Sequence, residues 1–479
     1  MTGTKPNIFW ITLDSVRADH TSLHGYGRDT TPELSRIAAS PSGVQFQQGI
    51  AHSTRTPVSV PSMFTGLVPS RHQMIGQRSG NALPAEVDTV PDLLSEIGYH
   101  TIGVSENGYA GKAKDIDIRF DEFVKSSPTE LSDFLTYDLG TSFLKYWFNI
   151  REHGPGFTAS ISAHGKQNSF FTSDIAKRKI RKYANSGDPI FCYIHYNDPH
   201  HPYVPPSSFV NEYISEIDAT AKEAVEFSLE MHDKMYEWMA DELPLTETDW
   251  GKLYAMYDAC IKYTDACVGA LFDFITERFD NAIVVITADH GDLFGEYGLL
   301  GHHMVLHDGL IHVPLITHGL KEVTHHADRP TQHIDIMKTL LSLVGADTSQ
   351  FQGYDIRTQT REVAISQDYR GSVDNPDSEN YERIKKHNPN VDLSHLPASM
   401  VTAARTRDFK LIHTEENTIL FQLPDELTDV KNEFPNVHSE LCSFVNEWLE
   451  NEGEPIESSP TDPELAGATK KHLEEMGYL

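Results

Sequence analysis

The chain has 479 residues, 39% hydrophobic and 23% charged, with 70 acidic against 39 basic side chains and a formal net charge of -31. That is the composition of a folded globular protein, too rich in aliphatic and aromatic side chains for a disordered one, and a prior of roughly 150 residues per domain allows two or three domains. The acidic excess is spread along the sequence without a clustered basic footprint, which argues against a nucleic-acid partner, and no apolar run reaches the ~18 residues that suggest a membrane span.

The amino terminus, MTGTKPNIFWITLD, carries one lysine before an apolar run that stops at Asp14, so it lacks the shape of a signal peptide. Cys192, Cys260, Cys267 and Cys442 show no CxxC spacing; Cys260 and Cys267, two helical turns apart, read as small core residues. A cytoplasmic location with reduced thiols is expected. Dispersed acidity also suits a protein adapted to concentrated salt.

Residues 7 to 13, NIFWITL, read as a buried parallel strand. TTPELSRIAA follows as a helix, with Thr30 or Thr31 as its cap and Pro32 at a first helical position. VPDLLSEIGYHTIGVS reads as helix, stop at Gly98, then strand; PIFCYIHY and NAIVVITADHG are further buried strands. Between 251 and 279 apolar residues recur at helical spacing. Helices alternating with buried strands predict an α/β fold with a large, mostly parallel mixed sheet sandwiched by helices. In such sheets ligands lie beyond the carboxyl ends of the strands, and Asp14, His195 and Asp289 all fall there.

After about residue 350 the pattern changes. TAARTRDFKLIHTEENTILFQLPDE reads as two or three short strands and NVHSELCSFVNEWLEN as a closing amphipathic helix. The expected division is a main α/β domain over 1–350 and a small α+β subdomain over 351–479 packed on it. Segments 126–170 and 371–397 are polar and irregular and read as insertions or lids.

Three stretches carry chemistry. In TADHGDLFGEYGLLGHH, residues 287 to 303, Asp289 and His290 present a carboxylate and an imidazole to one point just after a strand. Such a set suits Ca²⁺, Mg²⁺, Mn²⁺ or Zn²⁺. Alone it is equally a turn with a capping Asp; Asp14 at a second strand end shifts the balance, because buried carboxylates are costly without a cation or other partners. In HYNDPHHPYVPP, residues 195 to 206, the imidazoles of His195, His200 and His201 beside Asp198 are suited to donating to an anion or protonating a leaving group. A plain histidine-bearing loop is the bland alternative in a chain with 25 histidines. In TRTPVSVPSMFTG, residues 54 to 66, Pro57 marks a helix start and makes Thr56 a cap. A hydroxyl there also sits beside free N–H groups and is a candidate nucleophile.

Together these segments resemble the sulfatase branch of the alkaline phosphatase superfamily. The match runs through NIFWITLDSVRADHTSLHGYG, FTGLVPSRH, GYHTIGVSEN, HYNDPHHPY, TADHGDLFGEYGLLGHH with HVPLI, and ARTRDFKLIH. The resemblance implies an alkaline-phosphatase-like fold and one divalent cation, Ca²⁺ foremost, held by Asp14, Thr56, Asp289 and His290. It also implies a small anionic ester substrate, His200 and His303 as catalytic histidines beside Thr56, and His195, Asn107 and His302 as substrate-binding residues.

The departures are as informative. Asp14-Ser15 stands where relatives pair two aspartates, Val60 where they have arginine, Ser105-Glu106-Asn107 and His302 where they have lysines. Sulfatases convert a cysteine or serine to formylglycine at the position of Thr56, whose methyl group prevents an aldehyde. Threonine serves directly as nucleophile elsewhere in the superfamily. The resulting expectation is a metal-dependent hydrolase of sulfate esters or related phosphate esters. The alternatives are a phosphodiesterase or phosphotransferase of the same superfamily and a catalytically silent anion-binding relative.

Overall fold

The computed structural model describes residues 5–75, 82–126, 137–148, 168–184, 186–302, 305–369, 379–396 and 400–455. Its main sheet has seven strands: β1 (Asn7–Leu13), β2 (Gly43–Phe46), β3 (His100–Ser105), β4 (Glu122–Lys125), β5 (Ile190–Tyr196), β6 (Ala282–Ala288) and β7 (Leu315–His318), in spatial order β2-β7-β6-β1-β5-β3-β4. β1 pairs in parallel with both β5 and β6, and β3 with both β5 and β4. Only β7 runs against its neighbours.

Strand residues alternate between two apolar cores, as the two-residue period of a strand requires. Phe9, Ile11, Cys192, Ile194, Val284 and Ile286 enter one, packed under α1 (Pro32–Ala38) and two longer helices. Ile8, Trp10, Phe191, Tyr193, Ile283 and Val285 enter the other, under α2 (Thr56–Thr65), α3 (Val90–Glu96) and a helix over His333–Val344. The two longer helices are α4 (Ser169–Tyr183) and α5 (Glu247–Thr276). The latter, read from apolar spacing at 251–279, begins earlier at a capping box in which Asp249 N–H donates to Thr246 Oγ1 at 3.2 Å. α2 ends at Gly66, whose φ of +69° favours glycine and where a Cβ would lie 2.1 Å from the Phe351 ring.

Two readings need correction. Thr31 occupies the cap position of α1 without a side-chain capping bond; Asp265 from α5 accepts the Glu33 and Leu34 N–H groups at 2.8 and 2.9 Å instead. The segments read as irregular insertions contain helices over Tyr137–Phe148 and Glu379–His387. Much of the rest of those segments, residues 127–136, 149–167 and 370–378, lies outside the described residues.

A second, four-stranded antiparallel sheet follows: β8 (Ala364–Asp368), β9 (Val401–Arg405), β10 (Phe409–His413) and β11 (Thr418–Gln422). Its core includes Leu441 and Val445 of the closing helix α6 (Pro435–Asn451). β8 is the strand the sequence did not reveal. Cys192, Cys260 and Cys267 are buried and all four cysteines are free thiols. Among the described residues no helix is long and apolar enough to cross a membrane.

Candidate active site

The site forms where three neighbouring strands stop. Leu13 pairs with both Tyr196 and Ala288, so Asp14 and Asp289 leave adjacent strands at one level. His195, next to last in β5, reaches the same edge. Ser15 takes a left-handed conformation, φ 61°, which costs a non-glycine residue about 1 kcal/mol or more and turns the chain away directly after the carboxylate.

Asp14, Thr56, Asp289 and His290 are all fully buried. Thr56 Oγ1 donates to Asp289 Oδ2 at 2.8 Å and lies 3.3 Å from His290 Nε2. Asn107 Nδ2 donates to Asp14 Oδ2 at 2.8 Å and to Thr56 Oγ1 at 3.4 Å. His290 Nε2 is 3.5 Å from Asp14 Oδ1 and 3.7 Å from Asp289 Oδ2. Its Nδ1 lies 2.9 Å from the Gly291 carbonyl oxygen. A carbonyl only accepts, so Nδ1 carries a proton and Nε2 faces the two acids.

Burial and the Asp14 charge raise the Asp289 carboxyl above its usual range. Burial also pushes Asp14 up, but the His195 hydrogen bond and the His200 and His290 imidazoles outweigh it and hold Asp14 below the usual range. Ligand atoms of Asp14, Asp289 and His290 lie within 4.8 Å of one another. With Thr56 Oγ1 beside them, this oxygen-rich set with one nitrogen fits a divalent cation, which would relieve the repulsion between the two acids.

Thr56 is the first residue of α2 and Arg55 holds the capping position, one residue earlier than expected; the threonine hydroxyl turns to the acids. Val60, one turn on, is buried in the apolar core and brings no charge in place of the arginine. His195 is held between Asp14 Oδ2 at 3.2 Å and the Tyr193 hydroxyl at 2.9 Å, contacts that orient the carboxylate. His200 and His302 come together, ring centroids 4.8 Å apart, and His302 lies 4.7 Å from the His290 ring. His303 lies outside the described residues. Asp198 does structural work: it accepts the Asn168 and Ser169 N–H groups at 3.1 and 2.9 Å where α4 begins, and burial raises its carboxyl to about 6.

Sequence reasoning missed Asp292, Arg55, Thr54 and Asp368. Asp292 Oδ1 pairs with His302 Nδ1 at 2.9 Å and its Oδ2 accepts the Tyr203 hydroxyl at 2.7 Å; its place two residues after His290 was the available signal. Arg55 stands beside Thr56 and faces Asp368 at 3.9 Å, while Thr54 Oγ1 donates to the same carboxylate at 2.8 Å, so the end of β8 braces the Thr56 segment.

A mixed α/β sheet between helices, with a hydroxyl at a helix start facing a carboxylate–imidazole set at the strand ends, defines the alkaline-phosphatase-like class. A family model described as Sulfatase matches residues 6–346, and the chain belongs to the sulfatase family. It is similar to the uncharacterized sulfatase YidJ of Escherichia coli (strain K12), 22% identical over 359 residues that span 71% of this chain and 68% of that protein. Similarity to arylsulfatase K of Bos taurus is 27% over 474 residues, 91% and 80% of the two chains. Among solved structures, phosphonate monoester hydrolase SpPMH from Silicibacter pomeroyi shares the fold with a TM-score of 0.69 at 18% identity, over 94% of this chain and 96% of that one. BT4656, solved with D-glucosamine-2-N,6-O-disulfate, does so with 0.65 at 16%, over 95% and 100%.

Proposed function

We propose that the protein hydrolyses a small anionic sulfate or phosphate ester, with Thr56 as the attacking group. The observation that carries this reading is the Thr56 hydroxyl, buried at a helix start, 2.8 Å from Asp289 and within 3.4 Å of Asn107. Asp14, Asp289 and His290 would hold a divalent cation, Ca²⁺ by family resemblance, which when bound would supply activation of that hydroxyl and compensation of charge on the ester oxygens. Thr56 yields its proton to Asp289 Oδ2, to which it already donates at 2.8 Å, and forms a bond from Oγ1 to the sulfur or phosphorus as the bond to the departing ester oxygen breaks. Asn107 Nδ2 turns its N–H to a non-bridging oxygen of the transferring group. His200 gives a proton to the departing oxygen. Water then attacks the threonine ester, releasing the inorganic anion and restoring the hydroxyl. Because the Thr56 methyl excludes an aldehyde, both half-reactions are displacements at sulfur or phosphorus.

The test is a hydrolysis panel: purified protein with Ca²⁺, Mg²⁺, Mn²⁺ or Zn²⁺ against aryl sulfate, aryl phosphate, phosphodiester and phosphonate ester, beside Thr56→Ala. Turnover of one ester class that falls at least 10³-fold in the variant supports Thr56 as nucleophile and fixes the ester class. Absence of turnover in every combination, with metal bound, favours the silent anion-binding relative.

A further inference from the structure

Beyond the acid-lined set, three buried imidazoles converge from two loops. His200 and His201 follow β5, His302 follows β6, and their ligand atoms lie within 4.8 Å of one another. Each ring is already fixed through Nδ1. That of His200 lies 2.7 Å from the His201 carbonyl oxygen, that of His302 2.9 Å from Asp292 Oδ1, and that of His201 2.8 Å from His232 Nδ1. Carbonyl and carboxylate oxygens only accept. His200 therefore carries a proton on Nδ1, which makes Nε2 the atom it can offer a metal.

A histidine tied through one nitrogen to a carboxylate or carbonyl, with the other nitrogen aimed at a shared point, is the arrangement that orients and strengthens a metal ligand. The layer behind it is complete for His302: Asp292 is itself held by the Tyr203 hydroxyl at 2.7 Å. The three rings also touch face and edge, with centroids 4.5, 4.8 and 5.3 Å apart.

We propose a second divalent-cation site formed by His200, His201 and His302, selective for a nitrogen-preferring ion of the Zn²⁺ or Co²⁺ type. Three imidazoles and one open position match a four-coordinate zinc site. At Zn–N bonds of about 2.0–2.1 Å its ligand nitrogens stand about 3.4 Å apart, so the rings close inward by small side-chain rotations. The acid-lined set, mostly oxygen, takes the harder ion. The two sites are adjacent through the His290–His302 contact of 4.7 Å. Cation binding is independent of the proposed hydrolysis. Only its consequence rests on that reading: the departing oxygen is neutralised by a cation at His200 in place of a proton from it.

The experiment counts metal without measuring turnover. The full chain is stripped with chelator, equilibrated with Zn²⁺ alone or Co²⁺ alone, freed of loose ion by buffer exchange, and its metal content measured by plasma emission. Wild type is expected to retain an equivalent that gives the intense visible bands of four-coordinate Co²⁺. His201→Ala and His302→Gln are expected to retain one equivalent fewer, with Co²⁺ affinity at the lost site reduced at least 10-fold and those bands gone. Asp289→Asn, which removes an acid of the other set, is expected to keep those bands. Absence of the four-coordinate bands in wild type overturns the proposal and needs no variant. So does a content unchanged in both histidine variants, whose folding is checked by a cooperative melt. Loss of hydrolysis with those bands present would overturn the enzymatic reading and leave this site standing.

Discussion

In the proposed mechanism Asn107 supplies the donor that the absent lysine and arginine would have given. Its Nδ2 reaches both Asp14 and Thr56, while its Oδ1 accepts the Tyr109 N–H at 2.9 Å, which fixes the amide orientation. A donor held this way acts on charge that develops during transfer, and removing one such donor costs about 10²–10³ in kcat. Asn107→Ala is expected to lower kcat by that amount with KM nearly unchanged, measured on the ester class the protein turns over; a KM effect alone would make Asn107 a binding residue. Thr56→Ser, which keeps the hydroxyl and drops the methyl, is expected to retain measurable turnover where Thr56→Ala has none. At this scale Asp14, Asp289 and His290 were legible because each stands directly after a buried strand. Asn107 was legible only by resemblance. Asp292 offered only its place two residues after His290, since its partner Tyr203 comes from a separate loop that sequence spacing does not relate.

The strands were legible for the same physical reason as the acids: runs such as NIFWITL, buried on both faces, leave few other structures open. The links between elements were not. The small sheet grips the loop that leaves the active site through a buried ionic knot: Lys410 Nζ donates to the Leu306 carbonyl at 2.9 Å and to Asp308 at 3.0 Å, Arg405 pairs with Asp308 at 2.9 Å, and Lys410 also pairs with Glu426. Lys410 is fully buried. Removing one partner from such a knot leaves charges uncompensated, so Lys410→Met is expected to lower the unfolding free energy by about 3–5 kcal/mol in urea titration. A loss under about 1 kcal/mol would mean that packing, not the ions, joins the parts. At the other edge, Glu122 of β4 accepts from Lys179, Lys182 and Tyr183 at the end of α4. Burial opposes its ionisation, but these bonds prevail and hold it at about 2, against an ordinary value of 4.5. The contribution is therefore full above pH 4.5 and is lost as pH falls toward 2. The Tm of Glu122→Gln is expected to lie below that of wild type at pH 7, with the gap narrowing between pH 4.5 and 2; a gap constant with pH would assign the effect to packing.

Across the whole molecule the formal net charge of -31 sets opposite demands on stability and on substrate approach. Many acids do have local partners, such as Arg28 with Glu216 or Lys234 with Glu230, but exposed pairs are worth only about 0–1 kcal/mol each. The 70 acidic side chains exceed the 39 basic ones, so repulsive long-range pairs outnumber attractive ones. Raising NaCl from 0.01 to 1 M shortens the screening length from about 30 to about 3 Å, which removes the long-range repulsion first and the short contacts last. Tm is therefore expected to rise with NaCl, and KM for an anionic ester to fall over the same range. Salt also strengthens apolar burial for some ions, and sucrose, which acts by exclusion without screening, separates the two effects: electrostatic relief raises Tm in NaCl and lowers KM, whereas exclusion raises Tm and leaves the charge dependence of KM untouched. A Tm that falls steadily as NaCl rises from near zero would mean that local ion pairs dominate, and adaptation to concentrated salt would lose its basis.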